Sequence, residues 1–227
     1  MNFPSAEQLP QFILTAIPLL LSLTVHEFAH ARVALAFGDR TALLMGRVSL
    51  NPLRHLDPIG TLALLFTNII GWAKRVPVNT ANLHPRRLGD ICVSAAGPLS
   101  NLALAAISVV ALRLAIGFHE LLSPVFFKSL ILLLGVMISA NVCLFLFNLL
   151  PLFPLDGHHI MRELLPLHLQ LPFMRWQVKY GRIAMMVLIF GPLLYTTVTR
   201  LEVPFNPLFW VNDKVVTSLL VMVGLAA

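Results

Sequence analysis

The sequence predicts an all-α integral membrane protein, a helical bundle of about five to six apolar segments. Of its 227 residues, 58% are hydrophobic and only 11% are charged. A soluble domain carries roughly 25% charged residues, so this chain has too few charges for an ordinary water-exposed surface. We expect one membrane-embedded domain over residues 1–227, with a core over about 11–165 and C-terminal helices over about 176–227.

The apolar blocks differ in length, and length indicates how each block meets the bilayer. A spanning helix needs about 20 predominantly apolar residues. Five blocks approach or exceed that length: residues 11–37, 88–117, 126–150, 183–199 and 207–225. A sixth block, residues 59–72, is shorter and is more typical of a re-entrant piece that enters the bilayer and returns.

The basic residues predict the orientation of the chain. Residues 40–57 and 74–87 are both rich in arginine and lysine, and the positive-inside rule places both on the cytoplasmic side. The block between them must then be re-entrant. The end of the first helix and the stretch just beyond Leu150 share one depth near the cytoplasmic face. The basic residues form no dense patch, so we expect the lipid bilayer rather than nucleic acid as a partner.

The first helix carries the run HEFAH, which matches the pattern H-E-x-x-H at His26, Glu27 and His30. Residues four apart share a helix face, so both imidazoles can bind one Zn²⁺. Glu27 lies beside them, where a carboxylate can act as a general base. Ionisable groups within a span indicate a functional site. The alternative is that these side chains only hydrogen-bond between helices or extend towards the interface.

A catalytic zinc ion usually has three protein ligands, so a third is expected from elsewhere in the chain. Asp156, in the run NLLPLFPLDGHHI, is the best candidate because the predicted topology places it at the depth of the histidines. From spacing alone, it could equally be the N-cap of a short helix. Asp90 is the rival carboxylate, although its place at a helix start suits a charge near the helix dipole. We expect His158 and His159 to be structural rather than ligands.

These motifs together resemble the site-2 protease family of intramembrane zinc metalloproteases. HEFAH resembles the family's zinc-binding helix, and NLLPLFPLDG (148–157) resembles the segment that supplies the third ligand. Other runs are also similar to family segments: GRVSLNP with HLDPIGTL (46–62), GWAKRVPVN (71–79) and AAGPLSN (95–101). The resemblance covers about residues 15–165.

The resemblance implies a core of three helices and one zinc ion per chain, with Glu27 as the base. The implied zinc ligands are His26, His30 and Asp156. It also implies that Asn101 and Asn148 bind the substrate or the developing oxyanion, a role that suits amide donors. On the residues alone, each of these amides could equally satisfy the backbone of a neighbouring helix.

Residues 72–79 alternate in part, with Val76 and Val78 spaced for one face of a strand. We expect an extended element near the membrane face, which could pair with an unwound substrate by β-augmentation. The chain departs from the family pattern at Arg75, where many members have proline, and at His158 and His159, where glycine or arginine is common. We also expect a short form without PDZ or CBS modules.

The predicted function is zinc-dependent endoproteolysis in or next to the transmembrane segments of substrate proteins. The predicted location is a prokaryotic cell membrane, crossed several times, with the active site towards the cytoplasm. One alternative is a metal transporter, although transporters tend to spread ligands along a path. Another is a non-catalytic binder of membrane proteins, which would not need Glu27. The sequence does not indicate an oligomeric state.

Overall fold

The computed structural model describes residues 9–60, 73–199 and 207–222, and these are mostly helical. The α-helices in chain order are α1 (Leu9–Ala36), α2 (Thr41–Leu44), α3 (Arg86–Gly117), α4 (Pro124–Asn148), α5 (Asp156–Leu164), α6 (Leu167–Trp176), α7 (Arg182–Thr199) and α8 (Pro207–Met222). A π-helical turn, Gln177–Gly181, joins α6 to α7.

Three of the described helices are long and apolar enough to cross a membrane: Phe12–Ala36, Arg86–Gly117 and Pro124–Asn148. Their outer faces carry exposed large apolar side chains such as Ile107 and Leu114. Their inner faces carry buried polar ones, including Asn101 and Asn141. This arrangement, apolar outside and polar inside, is the reverse of that in a soluble protein. It is expected where lipid surrounds the helices and polar groups bond to one another inside the bundle.

The local sequence explains where these helices begin. Ser123 caps α4 by accepting a hydrogen bond from the backbone N–H of Phe126, and Pro124 occupies the first helical position, where no N–H is needed. Pro18 and Pro98 lie inside α1 and α3 without ending them. Neighbouring helices make such interior prolines tolerable within a membrane bundle.

The three long helices pack against one another, and α5 packs against α3. The apolar contact between α3 and α4 is built from Val109, Leu112, Ala115, Leu134 and Ile138. This packing brings the last turns of α1, the first turns of α3 and the start of α5 to one end of the bundle.

Three expectations about the fold are not confirmed: the number of spanning segments, the re-entrant block and the β element. The described helices include three of spanning length and hydropathy rather than five to six. Residues 61–72 of the predicted re-entrant block lie outside the described residues. Residues 73–79 are extended, but in the described part of the chain their bridge pairing is limited to Leu56 and Ala73. A β element is therefore not confirmed.

Candidate metal centre

His26 and His30 lie one turn apart on the inner face of α1. Both side chains are buried, and their rings meet edge to face with centroids 4.6 Å apart. Their spacing of four residues places both on one face of the helix. The two Nε2 atoms lie 3.0 Å apart, so the predicted pair converges on one point.

Asp156, the first residue of α5, reaches the same point from the other side of the bundle. Its Oδ2 lies 3.2 Å from Nε2 of His26 and 3.4 Å from Nε2 of His30. Gly157 permits this approach, because a side chain there would overlap the backbone carbonyl of Leu149. Within the described ranges, these three ligand atoms form the one cluster suited to a metal ion.

The three atoms fit a tetrahedral zinc ion. Zinc binds imidazole nitrogen and carboxylate oxygen at about 2.0–2.2 Å, so neighbouring ligand atoms lie about 3.3 Å apart. The observed separations of 3.0, 3.2 and 3.4 Å agree with that geometry. Oδ2 of Asp156 is buried and has no hydrogen-bond donor among the described residues, which is costly for a carboxylate unless a cation faces it.

The far nitrogen of each imidazole faces a hydrogen-bond acceptor. Nδ1 of His30 lies 2.7 Å from the carbonyl oxygen of Val93, and Nδ1 of His26 lies 2.6 Å from Oδ1 of Asn101. These oxygens can only accept, so each Nδ1 carries the hydrogen and donates it. Each Nε2 then presents a lone pair to the metal position, as in other histidine metal sites.

Asn101 thus has a different contact from the one that the family resemblance implies. Its side chain is fully buried against His26. Asn148, the other predicted amide, lines the cavity beside the ligands and donates a hydrogen bond to the carbonyl of Leu144 at 3.0 Å.

Glu27 lies beside the ligands, and the extended segment 73–79 holds its carboxylate. Oε2 of Glu27 accepts a hydrogen bond from the backbone N–H of Val76 at 2.7 Å. The segment is fixed before this point by a hydrogen bond from the backbone N–H of Lys74 to the carbonyl of His55, also 2.7 Å. The backbone therefore orients the predicted base.

Asp39 fixes the far end of the same segment. Its buried carboxylate accepts hydrogen bonds from the backbone N–H of Asn79 at 2.7 Å and from the side-chain amide of Asn82 at 3.0 Å. The N–H and hydroxyl of Thr41 donate to it as well. Burial alone would raise the pKa of Asp39, but these hydrogen bonds outweigh burial and lower it.

A cavity of about 350 Å³ lies against the three ligands and Glu27. Its wall also includes Arg75, Val76 and Asn148, which belong to the segment and the helix predicted to contact a substrate. Arg75 is exposed at this wall, where many family members have proline. The cavity provides space for a ligand next to the open side of the metal position.

Gly97 leaves space for the imidazoles of the metal ligands. The sequence did not reveal this role of Gly97. A Cβ atom at this position would lie 2.7 Å from Nε2 of His26 and closer still to Nε2 of His30. The run AAGPLSN indicates a close helix contact, but no sequence pattern shows that the histidines are what the glycine faces.

Asp90, the rival third ligand, has other partners. Its buried carboxylate forms an ion pair with Arg162 of α5 and lies 3.7 Å from Nδ1 of His159. Asp90 therefore joins α3 to α5 instead of joining the ligand cluster. Burial, assisted by the charge of Arg162, lowers the pKa of His159 despite the attraction of Asp90.

His158 has the contacts of a packed ring. It stacks on Phe173 with centroids 5.5 Å apart and meets Phe153 edge-on at 5.7 Å. Burial first, and then the positive charges of His159 and Arg162, lower the pKa of His158 to about 4.

Gln177 is a further buried residue that the sequence analysis missed. Its Oε1 accepts a hydrogen bond from the backbone N–H of Phe153 at 2.8 Å, and its Nε2 donates to the carbonyl of Pro151. Gln177 therefore holds the loop that leads into Asp156. Its position in a distant π-helical turn gave no sequence signal.

Two buried imidazoles and a carboxylate, set at one end of three helices of membrane-spanning length, define a membrane metalloprotein. The family model described as Peptidase family M50 matches residues 14–192, well over half of the chain. The protein therefore belongs to peptidase family M50, and its class is that of the metallopeptidases.

Bacterial relatives agree with this membership. The chain is 43% identical over 177 residues to YwhC of Bacillus subtilis (strain 168), a protein provisionally named a zinc metalloprotease; the match covers 78% of this chain and 80% of YwhC. It is 35% identical over 151 residues to Rip2 of Mycolicibacterium smegmatis, named in the same way, which covers 65% of this chain and 55% of Rip2. No solved structure matches the chain.

Proposed function

We propose that this protein is an intramembrane zinc metalloprotease that hydrolyses peptide bonds in or next to the transmembrane segments of other proteins. The observation that carries the proposal is the convergence of His26, His30 and Asp156 on one point beside Glu27, with a cavity against them. The ligands meet at a single point instead of following a path through the bundle, which favours catalysis over metal transport.

The residues around the cavity have distinct chemical roles in this proposal. Zinc, when bound, polarises the scissile carbonyl and lowers the pKa of a water molecule towards about 7. Glu27 would take a proton from the attacking water as the water oxygen bonds to the carbonyl carbon. It would then give that proton to the leaving nitrogen as the C–N bond breaks. The hydrogen bond from Val76 keeps the carboxylate of Glu27 beside the water.

Asn148 is the proposed donor to the developing oxyanion. One N–H of its amide donates to Leu144, the other makes no hydrogen bond to a described residue, and Asn148 lines the cavity. A preoriented amide of this kind stabilises the charge that develops in the transition state. Asn101 is instead assigned to the support of His26.

The extended segment 73–79 is the proposed binding site for the substrate backbone. It lies beside the cavity, and Val76 connects it directly to Glu27. A transmembrane helix hides its carbonyl groups in hydrogen bonds, so it must unwind before attack. Pairing with segment 73–79 by β-augmentation would hold the unwound chain next to the base.

The proposed location is a bacterial cell membrane, with the metal centre towards the cytoplasm. The bacterial relatives support this choice of membrane. The arginines and lysines that flank residues 59–72 lie on the same side as the C-terminal end of α1 under the positive-inside rule.

The direct test of proteolysis compares wild-type protein with Glu27→Gln. We expect Glu27→Gln to retain zinc, because Glu27 is not a ligand, and to lose at least 100-fold in cleavage, as expected for removal of a general base. The measurement is mapping of new peptide termini in membranes of cells that produce either form. Fragments that appear with wild type and not with Glu27→Gln identify substrates, and unchanged fragments at equal protein levels would contradict the proposed base.

A further inference from the structure

We propose that Asn141 is a positioning residue that sets the tautomer of the metal ligand His26 through Asn101. Asn141 is fully buried on α4 and is not in the ligand cluster. The inference rests on the proposed zinc site, and it assigns a role to a third core asparagine in addition to Asn101 and Asn148.

The side chain of Asn141 can adopt only one orientation. Its Nδ2 donates hydrogen bonds to the carbonyl oxygen of Met137 and to Oγ of Ser22, both at 2.8 Å. A backbone carbonyl can only accept, so the amide nitrogen must face Met137. The hydroxyl of Ser22 donates in turn to the carbonyl of Pro18 at 2.7 Å, which leaves its lone pairs for Asn141. Oδ1 of Asn141 therefore faces Asn101.

That orientation determines the orientation of Asn101. Nδ2 of Asn101 donates to Oδ1 of Asn141 at 2.8 Å and, more weakly, to the carbonyl oxygen of Ser22 at 3.3 Å. Oδ1 of Asn101 is thereby directed at Nδ1 of His26, 2.6 Å away. Nδ1 must carry the hydrogen, and Nε2 of His26 keeps its lone pair for the metal.

Loss of Asn141 would leave the amide nitrogen of Asn101 with only its longer hydrogen bond, to the carbonyl oxygen of Ser22. A rotated Asn101 amide would present N–H groups to Nδ1 of His26 and favour the tautomer with hydrogen on Nε2, which cannot bind a metal. Ser22, Asn101 and Asn141 are each fully buried, so water cannot replace the missing acceptor. The hydrogen-bonded chain from Ser22 through Asn141 and Asn101 to His26, here called the relay, links the three long helices α1, α3 and α4.

His30 provides an internal comparison. Its Nδ1 donates directly to the backbone carbonyl of Val93, with no side chain between. Its tautomer should therefore not depend on Asn141. A general loosening of the bundle would affect both histidines, whereas loss of the relay affects His26 alone.

The test replaces Asn141 with leucine, which has nearly the same shape and no hydrogen-bonding group. We expect zinc affinity, measured by competition with a chelator, to fall about 10–100-fold, as for other groups that orient metal ligands. In ¹⁵N spectra of histidine-labelled, metal-free protein, Nδ1 of His26 should be protonated in wild type and lose that state in Asn141→Leu, with His30 unchanged. Ser108→Ala is the matched control, because Ser108 is also buried and, among the described residues, its hydroxyl bonds only to the carbonyl of Leu104 in its own helix.

A double variant separates positioning from packing. In Asn101→Asp, a carboxylate faces Nδ1 of His26 and can only accept, whatever lies at position 141. We therefore expect Asn101→Asp/Asn141→Leu to bind zinc more tightly than Asn141→Leu alone. A packing role for Asn141 predicts no such recovery, and its absence would overturn the proposal.

Two further outcomes bear on the proposal separately from the zinc site. A His26 ring that carries hydrogen on Nε2 and none on Nδ1 in metal-free wild type would overturn it without any variant. The test therefore stands even if Asn141→Leu does not fold, in which case Asn141→Ala replaces the leucine variant. Wild-type zinc affinity in folded Asn141→Leu would also overturn it. Unchanged zinc binding in His26→Ala would instead contradict the proposed function, while the metal-free tautomer would still test the relay.

Discussion

The metal position depends on a glycine, which has no side chain, as well as on the ligands around it. Gly97 of α3 lies against the two metal-facing nitrogens of His26 and His30. Any β-carbon there would push the imidazoles away from Asp156. Close packing leaves no space to absorb the shift, since all three ligands are buried.

We predict that Gly97→Ala lowers zinc affinity on the order of tenfold or more, because the ligands can no longer converge. Gly135→Ala is the matched control: it is the same substitution inside α4, where an added Cβ meets no described atom within 4 Å. Alanine also favours a helix over glycine by about 1 kcal/mol, so the control should be at least as stable as wild type. Zinc content after dialysis measures both. Equal zinc in the two variants would contradict the tight fit at Gly97.

For single residues of the site, the sequence predicts the contacts that follow from helix periodicity and few others. His26 and His30 are four residues apart, so a helix alone brings them together. The choice of Asp156 needed the depth of two segments in the membrane, and spacing alone left it open. Asn141 and Ser22 are 119 residues apart in the chain. No local pattern indicates which buried amide faces which helix, so the sequence does not predict the relay or the space at Gly97.

The position of α5 determines the position of Asp156, the third ligand. It begins at Asp156 and is joined to α3 by the ion pair between Asp90 and Arg162. The loop before it is held by Gln177. The ring of His158, on α5, is packed between Phe153 of the preceding loop and Phe173 of α6. Three sets of contacts therefore hold α5 in place: the ion pair to α3, the hydrogen bonds of Gln177 to the preceding loop, and the packing of His158.

The packing of His158 predicts a pH dependence of stability. Its pKa is about 4 in the folded protein, against about 6.5 when unfolded. The unfolded state therefore binds a proton that the folded state does not, and stability falls as the pH falls from about 6.5 to about 4. We expect His158→Phe, which keeps an aromatic ring there, to show a shallower loss of thermal midpoint over that range. Identical pH profiles for the two proteins would contradict this assignment.

The long helices were more predictable than the short elements. The apolar blocks at 11–37, 88–117 and 126–150 became α1, α3 and α4 with small changes at their ends, because unbroken hydrophobicity specifies a spanning helix. The conformation of segment 73–79 was harder to predict from the sequence. Its alternation suggested a strand, but its backbone bonds are made to Glu27, His55 and Asp39. Those contacts are specific to this fold, and strand propensity does not encode them.

Across the whole molecule, membrane packing and metal chemistry support each other. The outer faces of the three long helices are apolar, and their buried polar side chains meet inside, where each needs a partner. The relay from Ser22 to His26 satisfies that need and also orients a ligand. The prediction that α1 and the residues after α4 end at one depth agrees with the contact between His26 and Asp156.

We propose that His26, His30 and Asp156 together hold one zinc ion. X-ray absorption at the zinc edge, recorded on purified protein with its metal content measured, tests it most directly. We predict one zinc per chain with four nitrogen or oxygen ligands at about 2.0–2.2 Å, two of them imidazole. Asp156→Ala should lose most of the zinc, whereas Asp90→Asn, which alters the rival carboxylate, should keep it. Full zinc content in Asp156→Ala with a third imidazole in the spectrum would contradict the account and assign the third position to His158 or His159.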